Sequence, residues 1–305
     1  MLTKLSKAEL LLKCEELKIT KYKSKNKSEL INLINIKNLN YTINVSPLRY
    51  PGGKTRACKI INNIIVENFN INNFNTLISP FFGGGSFEFY FQNTHNVKLI
   101  VNDKFKPLYN FWKQIKEDKD ALCKELRQIK IVTKEQFTNY RKTIMDLNND
   151  TLNQSILYFI INRCSFSGST LSGGFSEEAS KKRYTPSSIS KIELLNFSNV
   201  EIYNEDFKDF LRETLLIRDN SLMYLDPPYY LEKNSKLYGN NGDMHENFDH
   251  QSLFNLLKLQ KNWIITYNNC DYIKNLYKDY LILDVNWSYS MNKSKTSSEI
   301  VIICK

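Results

Sequence analysis

The chain has 305 residues, 42% of them hydrophobic, which is enough for one large domain with its own core and a small accessory unit. Its 42 Lys and Arg outnumber its 32 Asp and Glu, and the net charge of +10 favours an anionic partner without choosing between DNA, RNA and an acidic protein. The charged N-terminus argues against a signal peptide and no apolar run approaches the roughly 20 residues that span a bilayer, so we expect a cytoplasmic or nucleoid-associated protein.

The cysteine pattern argues against a zinc site. No CxxC pair occurs, and no histidine is placed to complete a set of zinc ligands. We therefore expect no bound metal and reduced thiols in the core. The six cysteines are Cys14, Cys58, Cys123, Cys164, Cys270 and Cys304.

Residues 1–37 are predicted to form a small helical unit of their own. Ser6, with Glu9 three residues later, is a good N-cap for a first helix. A basic connection, residues 18–27, leads to a second short helix, which we expect Ser28 to cap. The apolar residues at helical spacing are Leu5, Leu10, Leu11 and Leu17 in the first helix and Leu30, Ile31, Leu33 and Ile34 in the second.

After a predicted linker at 38–47, strand and helix patterns alternate through residues 48–305. Such alternation predicts an α/β fold with a doubly wound, mostly parallel sheet. The predicted strands are 76–79, 98–101, 200–203, 221–225, 263–267, 281–285 and 300–303, with helices near 87–92, 106–116, 206–213, 250–259 and 270–277. Residues 115–195 interrupt the alternation with three amphipathic helices (120–162) and a loop rich in Ser, Gly and Lys (164–188), which predicts an inserted lobe.

A glycine cluster, FFGGGS at residues 81–86, follows the first predicted strand. Glycines here let the backbone turn tightly and approach a ligand without an intervening side chain, and the helix that follows offers free N–H groups. Asp103 ends the next strand about 20 residues later, where it is placed to accept hydrogen bonds from the ribose of an adenosine-containing cofactor. Each motif alone is weak, because glycine turns are common and Asp103 could simply cap the next helix.

A rigid corner, Asp226-Pro227-Pro228-Tyr229, follows the apolar strand 221–225. Consecutive prolines supply no N–H to a sheet, so Asp226 is held at the carboxyl edge, where ligands bind in open α/β sheets. An acceptor beside the flat ring of Tyr229 suits a planar base with an exocyclic amine. A plain solvent loop is the alternative.

In this order, the motifs resemble the Dam-type (DPPY, alpha-group) family of adenine-N6-specific DNA methyltransferases, and the resemblance spans residues 48–305. It also rests on residues 49–54 (RYPGGK), 162–168 (NRCSFSG), 204–207 (NEDF), Tyr238-Gly239 with His250, and 297–302 (SSEIVI). Two positions depart from the family pattern. Ser79 stands where many relatives carry an acid, which removes a negative contact expected on the sulfonium side of the cofactor site, and Tyr50-Pro51 replaces a common Trp-Ala.

The resemblance implies a Rossmann-like, seven-stranded methyltransferase sheet. It also implies transfer of a methyl group from S-adenosyl-L-methionine to a flipped adenine in duplex DNA. S-adenosylhomocysteine would be the product, and the reaction would need no metal. It assigns catalysis to Asp226, Pro227, Pro228 and Tyr229. Asp226 and the Pro227 carbonyl would accept the two hydrogens of the adenine amine, which frees its lone pair for in-line attack, while Tyr229 stacks on the base.

The same resemblance implies a cofactor site at the glycine loop. Lys54 is expected near the methionine carboxylate, Asp103 at the ribose, and Asp206 with Phe207 at the cofactor's adenine. The implied cofactor-binding residues are Tyr50, Gly53, Lys54, Pro80, Phe81, Phe82, Gly83, Gly84, Gly85, Ser86, Asp103, Asp206, Phe207 and Asp226.

In the family, the slot occupied by residues 115–195 holds the target-recognition region. Its helices offer candidates for phosphate contacts, namely Arg127, Lys130, Lys134, Arg141 and Lys142. Its loop offers candidates for base readout, namely Arg163, Ser167, Ser169, Thr170, Lys181, Lys182, Arg183 and Tyr184. Any single lysine among them is more simply a solvated surface charge.

Residues 1–37 resemble the SAP motif, a helix–extended–helix DNA-binding module. The matching residues are Leu5, Glu9, Leu10, Cys14, Leu17, Ser24, Lys27, Glu29, Leu30 and Ile34. Such a unit would tether the enzyme to DNA without choosing the sequence. A plain helical hairpin used for protein contact is the alternative.

Other functions on the same scaffold stay open at this point. They are methylation of an adenine in RNA, methylation of cytosine N4, for which relatives usually show Ser in place of Asp226, and DNA binding without catalysis. The resemblance also allows a cognate restriction endonuclease as a partner, while no pattern in the sequence specifies the recognition site or the oligomeric state.

Overall fold

The structure, a computed structural model, describes residues 5–16, 19, 22–38, 44–146, 148–214, 220–230, 248–288 and 296–305. The chain divides into two compact units, Met1–Ile43 and Asn44–Lys305. Asn44, which we expected in a linker, is buried, and its side-chain amide donates to Gln92 Oε1 at 2.9 Å and to the Asn196 carbonyl at 2.8 Å. The larger unit therefore begins a few residues earlier than predicted.

The smaller unit contains the two predicted helices, α1 (Lys7–Glu16) and α2 (Lys27–Asn38). Its core consists of four fully buried side chains, Leu10, Cys14, Leu30 and Ile34. These are apolar positions of the two predicted helical stripes, together with one cysteine. So small a core stabilises the unit only marginally.

One of the two predicted caps is confirmed and one is wrong. The Glu9 N–H donates to Ser6 Oγ at 3.3 Å, and the Ser6 N–H donates to the Glu9 carboxylate at 2.6 Å. In the second helix Asn26, not Ser28, is the cap, because its side chain accepts from the Glu29 N–H at 3.0 Å. Ser28 lies inside the first turn, where its hydroxyl donates to Asn26 Oδ1 at 2.6 Å.

The larger unit is built on one seven-stranded sheet in the order β3-β2-β1-β4-β5-β7-β6. The strands are β1 (Thr76–Ser79), β2 (Lys98–Asn102), β3 (Val200–Tyr203), β4 (Ser221–Leu225), β5 (Trp263–Asn268), β6 (Leu281–Ser288) and β7 (Thr296–Cys304). Strands β1 to β5 are parallel, and β7 runs antiparallel between β5 and β6. The predicted Rossmann-like, mostly parallel, seven-stranded sheet is confirmed.

Helices cover both faces of this sheet. They are α3 (Cys58–Asn68), α4 (Ser86–His95), α5 (Lys106–Gln128), α6 (Lys134–Thr143), α7 (Thr151–Cys164), α8 (Glu177–Lys182), α9 (Pro186–Glu193), α10 (Phe207–Thr214), α11 (His250–Leu257) and α12 (Asp271–Leu276). Successive strand residues enter opposite cores: Leu77 of β1 packs on the side of α3 and α4, and Ile78 on the side of α10 and α11. Among the described helices, none is both long and apolar enough to cross a bilayer.

Three helical predictions need correction. The helix α3 was not predicted, although Ile61, Ile64 and Ile65 bury one face of it. The predicted loop 164–188 contains α8 and the start of α9. Ser176 accepts from the Ala179 N–H at 3.1 Å and begins α8, and Thr185 forms a capping box with Ser188 and begins α9.

Strand order places the two chemical motifs next to each other. β1 pairs with β2 on one side and with β4 on the other, so the direction of winding reverses between β1 and β4. The glycine loop leaves the carboxyl end of β1, and Asp226 leaves the carboxyl end of β4. Such a reversal opens the crevice in which α/β sheets bind their ligands.

Candidate active site

A buried ion pair lies at this reversal point. Lys54, which precedes α3, places its Nζ 2.7 Å from both carboxylate oxygens of Asp226 and donates to the Gly52 carbonyl at 3.1 Å. The Lys54 side chain is 3% exposed and that of Asp226 is 21% exposed. A lysine at this depth requires a counter-charge. We predicted Lys54 near the methionine carboxylate, whereas the structure pairs it with Asp226.

Thr266 fixes the orientation of the Asp226 carboxylate. Its hydroxyl donates to Asp226 Oδ1 at 2.7 Å from the neighbouring strand β5. Sequence reasoning missed Thr266; the available signal is one polar residue inside the apolar strand WIITYN. Because each carboxylate oxygen has two acceptor positions, Lys54 and Thr266 occupy Oδ1, and Oδ2 keeps one acceptor position within the described contacts.

Tyr229 is held in a fixed position beside this pair. Its ring centroid lies 5.0 Å from Lys54 Nζ, and its hydroxyl donates to Glu299 Oε2 at 2.5 Å. Glu299 is buried in β7, in the segment 297–302 that carries the family resemblance. Pro227 is buried and Pro228 half-buried, so the corner is supported from below while Tyr229 keeps an accessible part.

The glycine loop has close aromatic neighbours from this same chain. A Cβ on Gly83 would lie 2.9 Å from the Tyr50 ring, and one on Gly84 would lie 2.7 Å from the Tyr50 Cβ. A Cβ on Gly85 would lie 2.7 Å from the Phe82 ring, and both Gly83 and Gly85 have positive φ. Glycine is therefore required at these positions because a side chain would collide with Tyr50 or Phe82. From the sequence we had attributed the glycines to the close approach of a ligand.

Asp103 supports the loop from β2. Its Oδ2 accepts from the Gly83 N–H at 2.8 Å, and its Oδ1 accepts from the Phe105 N–H at 2.9 Å. Burial raises the pKa of this carboxyl to about 6, although both hydrogen bonds act to lower it. Each oxygen retains an acceptor position for a ligand hydroxyl.

An aromatic cluster borders the loop on the β3 side. The Phe81 ring lies 5.7 Å from Phe207 and 5.5 Å from Phe248, measured between centroids. Asp206, which we expected at the cofactor's adenine, makes an ion pair with Lys104 at 2.8 Å. Its other oxygen accepts from the Lys208 N–H at 3.0 Å.

Ser79, at the position where many relatives carry an acid, contacts an acid from another element. Ser79 Oγ donates to Glu88 Oε1 at 2.7 Å, and Glu88, in the first turn of α4, is 3% exposed. Burial raises the pKa of Glu88 to about 8. Sequence reasoning missed Glu88, which reads as an ordinary acid at a helix N-terminus.

The inserted lobe (residues 115–195, called the recognition lobe below) is attached by hydrogen bonds to the opening motif, residues 49–54. The Arg49 N–H donates to Asn162 Oδ1 at 3.0 Å, and the Asn162 side chain donates back to the Arg49 carbonyl at 2.7 Å. Gly168, with φ of 76°, packs directly against the Arg49 backbone, where a Cβ would clash. The lobe therefore has a fixed position beside Tyr50 and Lys54.

Three of the predicted DNA-contacting side chains point into the protein. Tyr184 is buried, and its hydroxyl donates to the Leu126 carbonyl at 2.7 Å. Arg141 donates to the carbonyls of Gly173 and Leu171. Arg163 donates to the carbonyls of Arg183 and Pro47 at 2.8 and 3.1 Å. Because all three side chains bond to backbone carbonyls of this protein, we remove them from the proposed DNA contacts.

Thr170, predicted for base readout, is also buried, and its hydroxyl donates to the Gly168 carbonyl at 3.2 Å. The remaining predicted contacts lie at or near the surface, and several are paired. Arg127 pairs with Glu193 at 2.6 Å, Lys181 with Glu177 at 2.6 Å, and Lys182 with Glu178 at 3.1 Å. Exposed or half-buried positions are held by Lys134, Ser167, Ser169 and Arg183. The segment Tyr238-Gly239 lies outside the described residues.

Comparison with known proteins supports the same family. A 26% identical relative over 200 residues, covering 60% of this chain and 68% of its own, is the Type II methyltransferase M.MjaIII of Methanocaldococcus jannaschii. The rRNA methyltransferase aviRa from Streptomyces viridochromogenes aligns with 86% of this chain and 88% of its own at 13% identity, with a TM-score of 0.36, too low to bear on fold or function. The family model for D12 class N6 adenine-specific DNA methyltransferases matches residues 50–291, from the opening motif through the Asp226 corner, and the chain belongs to that family.

Proposed function

We propose that this protein transfers a methyl group from S-adenosylmethionine to the N6 amine of an adenine flipped out of duplex DNA. The observation that carries the proposal is the position of Asp226. Its carboxylate is oriented by Lys54 and Thr266, lies beside the Tyr229 ring, and sits where the sheet reverses next to the glycine loop.

The charges of the site suit a cationic cofactor. Three carboxyl groups, Asp226, Asp103 and Glu88, surround the start of the glycine loop, and Lys54 is the cation that contacts one of them. Burial raises the pKa of both Asp103 and Glu88, and a cation bound beside them would favour their ionised forms. S-adenosylmethionine supplies a sulfonium cation that carries the transferable methyl group.

Asp226 is the acceptor for the adenine amine. Oδ2 has a free acceptor position among the described contacts, so it would take one amine hydrogen, and the Pro227 carbonyl would take the other. Holding both hydrogens directs the nitrogen lone pair out of the ring and towards the methyl group. Fixed orientation therefore contributes more than acid–base strength to the rate.

Tyr229 would stack on the flipped base. Its hydroxyl is anchored by Glu299 and Lys54 lies 5.0 Å from its ring centroid, so the ring cannot turn away when a base arrives. Stacking of a base on an aromatic side chain contributes about 1–3 kcal/mol, which helps to offset the cost of extruding the adenine.

Methyl transfer to nucleic acid tests the proposed function. Tritium-labelled S-adenosylmethionine would be incubated with the protein and with duplex DNA, single-stranded DNA or RNA of the same sequence. We expect label in duplex DNA as N6-methyladenine, and sequencing of the product would give the recognition site. Label in RNA alone, or in cytosine, would favour the alternative acceptors, and no transfer to any adenine-containing duplex would overturn the proposal.

In the recognition lobe, we propose that Arg183 contacts a DNA phosphate. Arg183 is exposed, and its positive charge lowers the pKa of Arg49 and Arg163 after the larger effect of burial. Within the described part of the chain, none of these three arginines makes an ion pair with a carboxylate. The Arg49 and Arg163 guanidinium groups are held by backbone carbonyls, so the exposed Arg183, beside these two positive charges, is the one placed to attract a phosphate.

Arg183→Ala should therefore weaken DNA binding on every sequence alike. We expect the slope of log K against log salt to fall by about one, because one phosphate contact is lost. Fluorescence anisotropy over a salt series measures both quantities. Tyr184→Phe is the matched control: it removes a buried hydroxyl and should leave the salt slope unchanged. An unchanged slope in Arg183→Ala would contradict the phosphate contact.

We also propose that the N-terminal unit binds DNA. Two exposed lysines are Lys23, in the connection between α1 and α2, and Lys27, the first residue of α2. Reversing both charges in the full-length protein, Lys23→Glu with Lys27→Glu, should weaken DNA affinity several-fold at low salt, because two charges that attract phosphate become repulsive. The single-turnover rate at saturating DNA should not change. Unaltered DNA affinity would favour a protein-contact hairpin.

A further inference from the structure

A buried carboxyl group beneath the active site takes no part in holding the adenine amine. Glu88 is 3% exposed and accepts a hydrogen bond from Ser79, the last residue of β1 before the glycine loop. Removing a carboxylate from water is costly unless a cation compensates it. Within the described residues, no ion pair joins Glu88 to a cation.

Four ionisable groups surround Glu88. Asp226 and Lys54 lie on the active-site side, Cys58 projects from α3, and Tyr224 from β4. Burial is the main cause that raises the pKa of Glu88 to about 8; the Ser79 hydrogen bond and Lys54 lower it, and Asp226 raises it. Burial also raises the pKa of Cys58 to about 12 and that of Tyr224 well above its usual value, so neither exchanges protons at neutral pH.

The protonation of Glu88 therefore depends on the charges at the active site. The negative charge of Asp226 raises the pKa of Glu88, and the positive charge of Lys54 lowers it. A second cation placed beside Asp226 acts on Glu88 in the same sense as Lys54, and favours the ionised carboxylate. A neutral molecule in the same place has no such effect.

We propose that Glu88 is a charge-compensating positioning residue, which releases its proton to solvent when a sulfonium cofactor binds beside Asp226 and takes up a proton after methyl transfer. This inference rests on the proposed function. Methyl transfer breaks the carbon–sulfur bond, the electron pair stays on sulfur, and the product is a neutral thioether. The charge that stabilised the Glu88 carboxylate then disappears, so the site distinguishes cofactor from product by charge.

Proton release on binding is the direct test. Isothermal titration calorimetry at pH 7, in two buffers that differ in ionisation enthalpy, gives the protons released per ligand bound. The wild-type protein should release roughly half to one proton more with S-adenosylmethionine than with S-adenosylhomocysteine. This difference should vanish in Glu88→Gln and persist in Glu67→Gln, which alters an exposed glutamate on α3.

A pH series gives a second measure. Because cofactor binding releases a proton, the preference of the wild type for S-adenosylmethionine over S-adenosylhomocysteine should rise with pH, by up to about tenfold per unit between pH 6 and 8. Ser79→Ala removes a hydrogen bond that lowers the pKa of Glu88, so it should shift this rise to higher pH. In Glu88→Gln the preference should not depend on pH in this range.

The protein without cofactor provides an independent readout. Folded Glu88 keeps a proton that the unfolded chain, with an ordinary pKa of 4.5, has already lost. The unfolding constant contributed by Glu88 should therefore rise with pH, by up to about tenfold per unit between pH 4.5 and 8, and stop rising above the folded pKa. Urea unfolding at pH 6 and 8 should show this slope in the wild type and not in Glu88→Gln.

Each outcome bears on one claim. Equal proton release with both ligands in the wild type, or a wild-type difference in Glu88→Gln, would overturn the role of Glu88. If neither ligand binds, the proposed function fails instead. If Glu88→Gln does not fold, the pH dependence of ligand preference in Ser79→Ala tests the inference instead. A pH dependence equal to that of the wild type would contradict the role of Glu88.

Discussion

Asp226→Asn is expected to slow methyl transfer by about 100- to 1,000-fold, the range found when one fixed electrostatic contact at a reacting centre is removed. Asparagine preserves size, yet its amide nitrogen offers hydrogens where Lys54 and Thr266 already donate them. In either orientation the amide nitrogen faces Lys54, and when the oxygen accepts from Thr266 the nitrogen also faces the incoming amine. Single-turnover transfer to duplex DNA at saturating cofactor measures the effect.

Cofactor affinity should change much less than the rate, because the proposed role of Asp226 is to hold the adenine amine. Loss of the counter-charge to Lys54 should also lower the free energy of unfolding, by up to about 3 kcal/mol, since the lysine is buried. Circular dichroism must therefore confirm folding at the assay temperature. Asp279→Asn, at an exposed position, is the control. Wild-type turnover in Asp226→Asn would remove Asp226 from catalysis.

Gly84→Ala is expected to weaken S-adenosylmethionine binding by about 10- to 100-fold. The added methyl group would lie 2.7 Å from the Tyr50 Cβ and 3.2 Å from its Cγ, so Tyr50 must move. Overpacking of this kind costs about 1–3 kcal/mol, and Tyr50 belongs to the same motif as Lys54, so the displacement reaches the site directly. Calorimetric titration with the cofactor measures the affinity.

The chain offers a matched control for this substitution. Gly174 has no heavy atom within 4 Å of an added Cβ and does not have a positive φ. Gly174→Ala should therefore leave cofactor affinity unchanged. If Gly84→Ala bound cofactor as tightly as Gly174→Ala, the contact between Tyr50 and the glycine loop would have no role in binding.

Local sequence patterns were sufficient for most of the fold. Most strands were predicted because a short apolar run ends at proline or a polar pair, and Ser6 with Glu9 predicted a cap that forms. The helices α3 and α8 were not predicted. In α8 only six residues lie between caps, and Ser- and Lys-rich sequence near them obscured the pattern.

Which side chains of the recognition lobe are exposed was also decided by tertiary contacts. Arg141 was predicted on an amphipathic helix and Arg163 and Tyr184 in a loop, and in both settings a polar side chain is expected at the surface. Each instead donates to backbone carbonyls of this protein, Arg141 and Arg163 to those of Gly173 and Arg183 and Tyr184 to that of Leu126 in α5. The sequence alone cannot distinguish an arginine that binds a phosphate from one that donates to backbone carbonyls, because both roles use the same guanidinium group.

By itself, the sequence determined the order of the strands along the chain, the glycine loop and the DPPY corner, since steric limits on proline and glycine act within a few residues. Only the tertiary structure decided which partners complete the site. Lys54 is 172 residues from Asp226, Thr266 is 40 residues from it, and Glu299 is 70 residues from Tyr229. Those pairs form because strand order and register bring distant segments to one sheet edge, and no local rule specifies that arrangement.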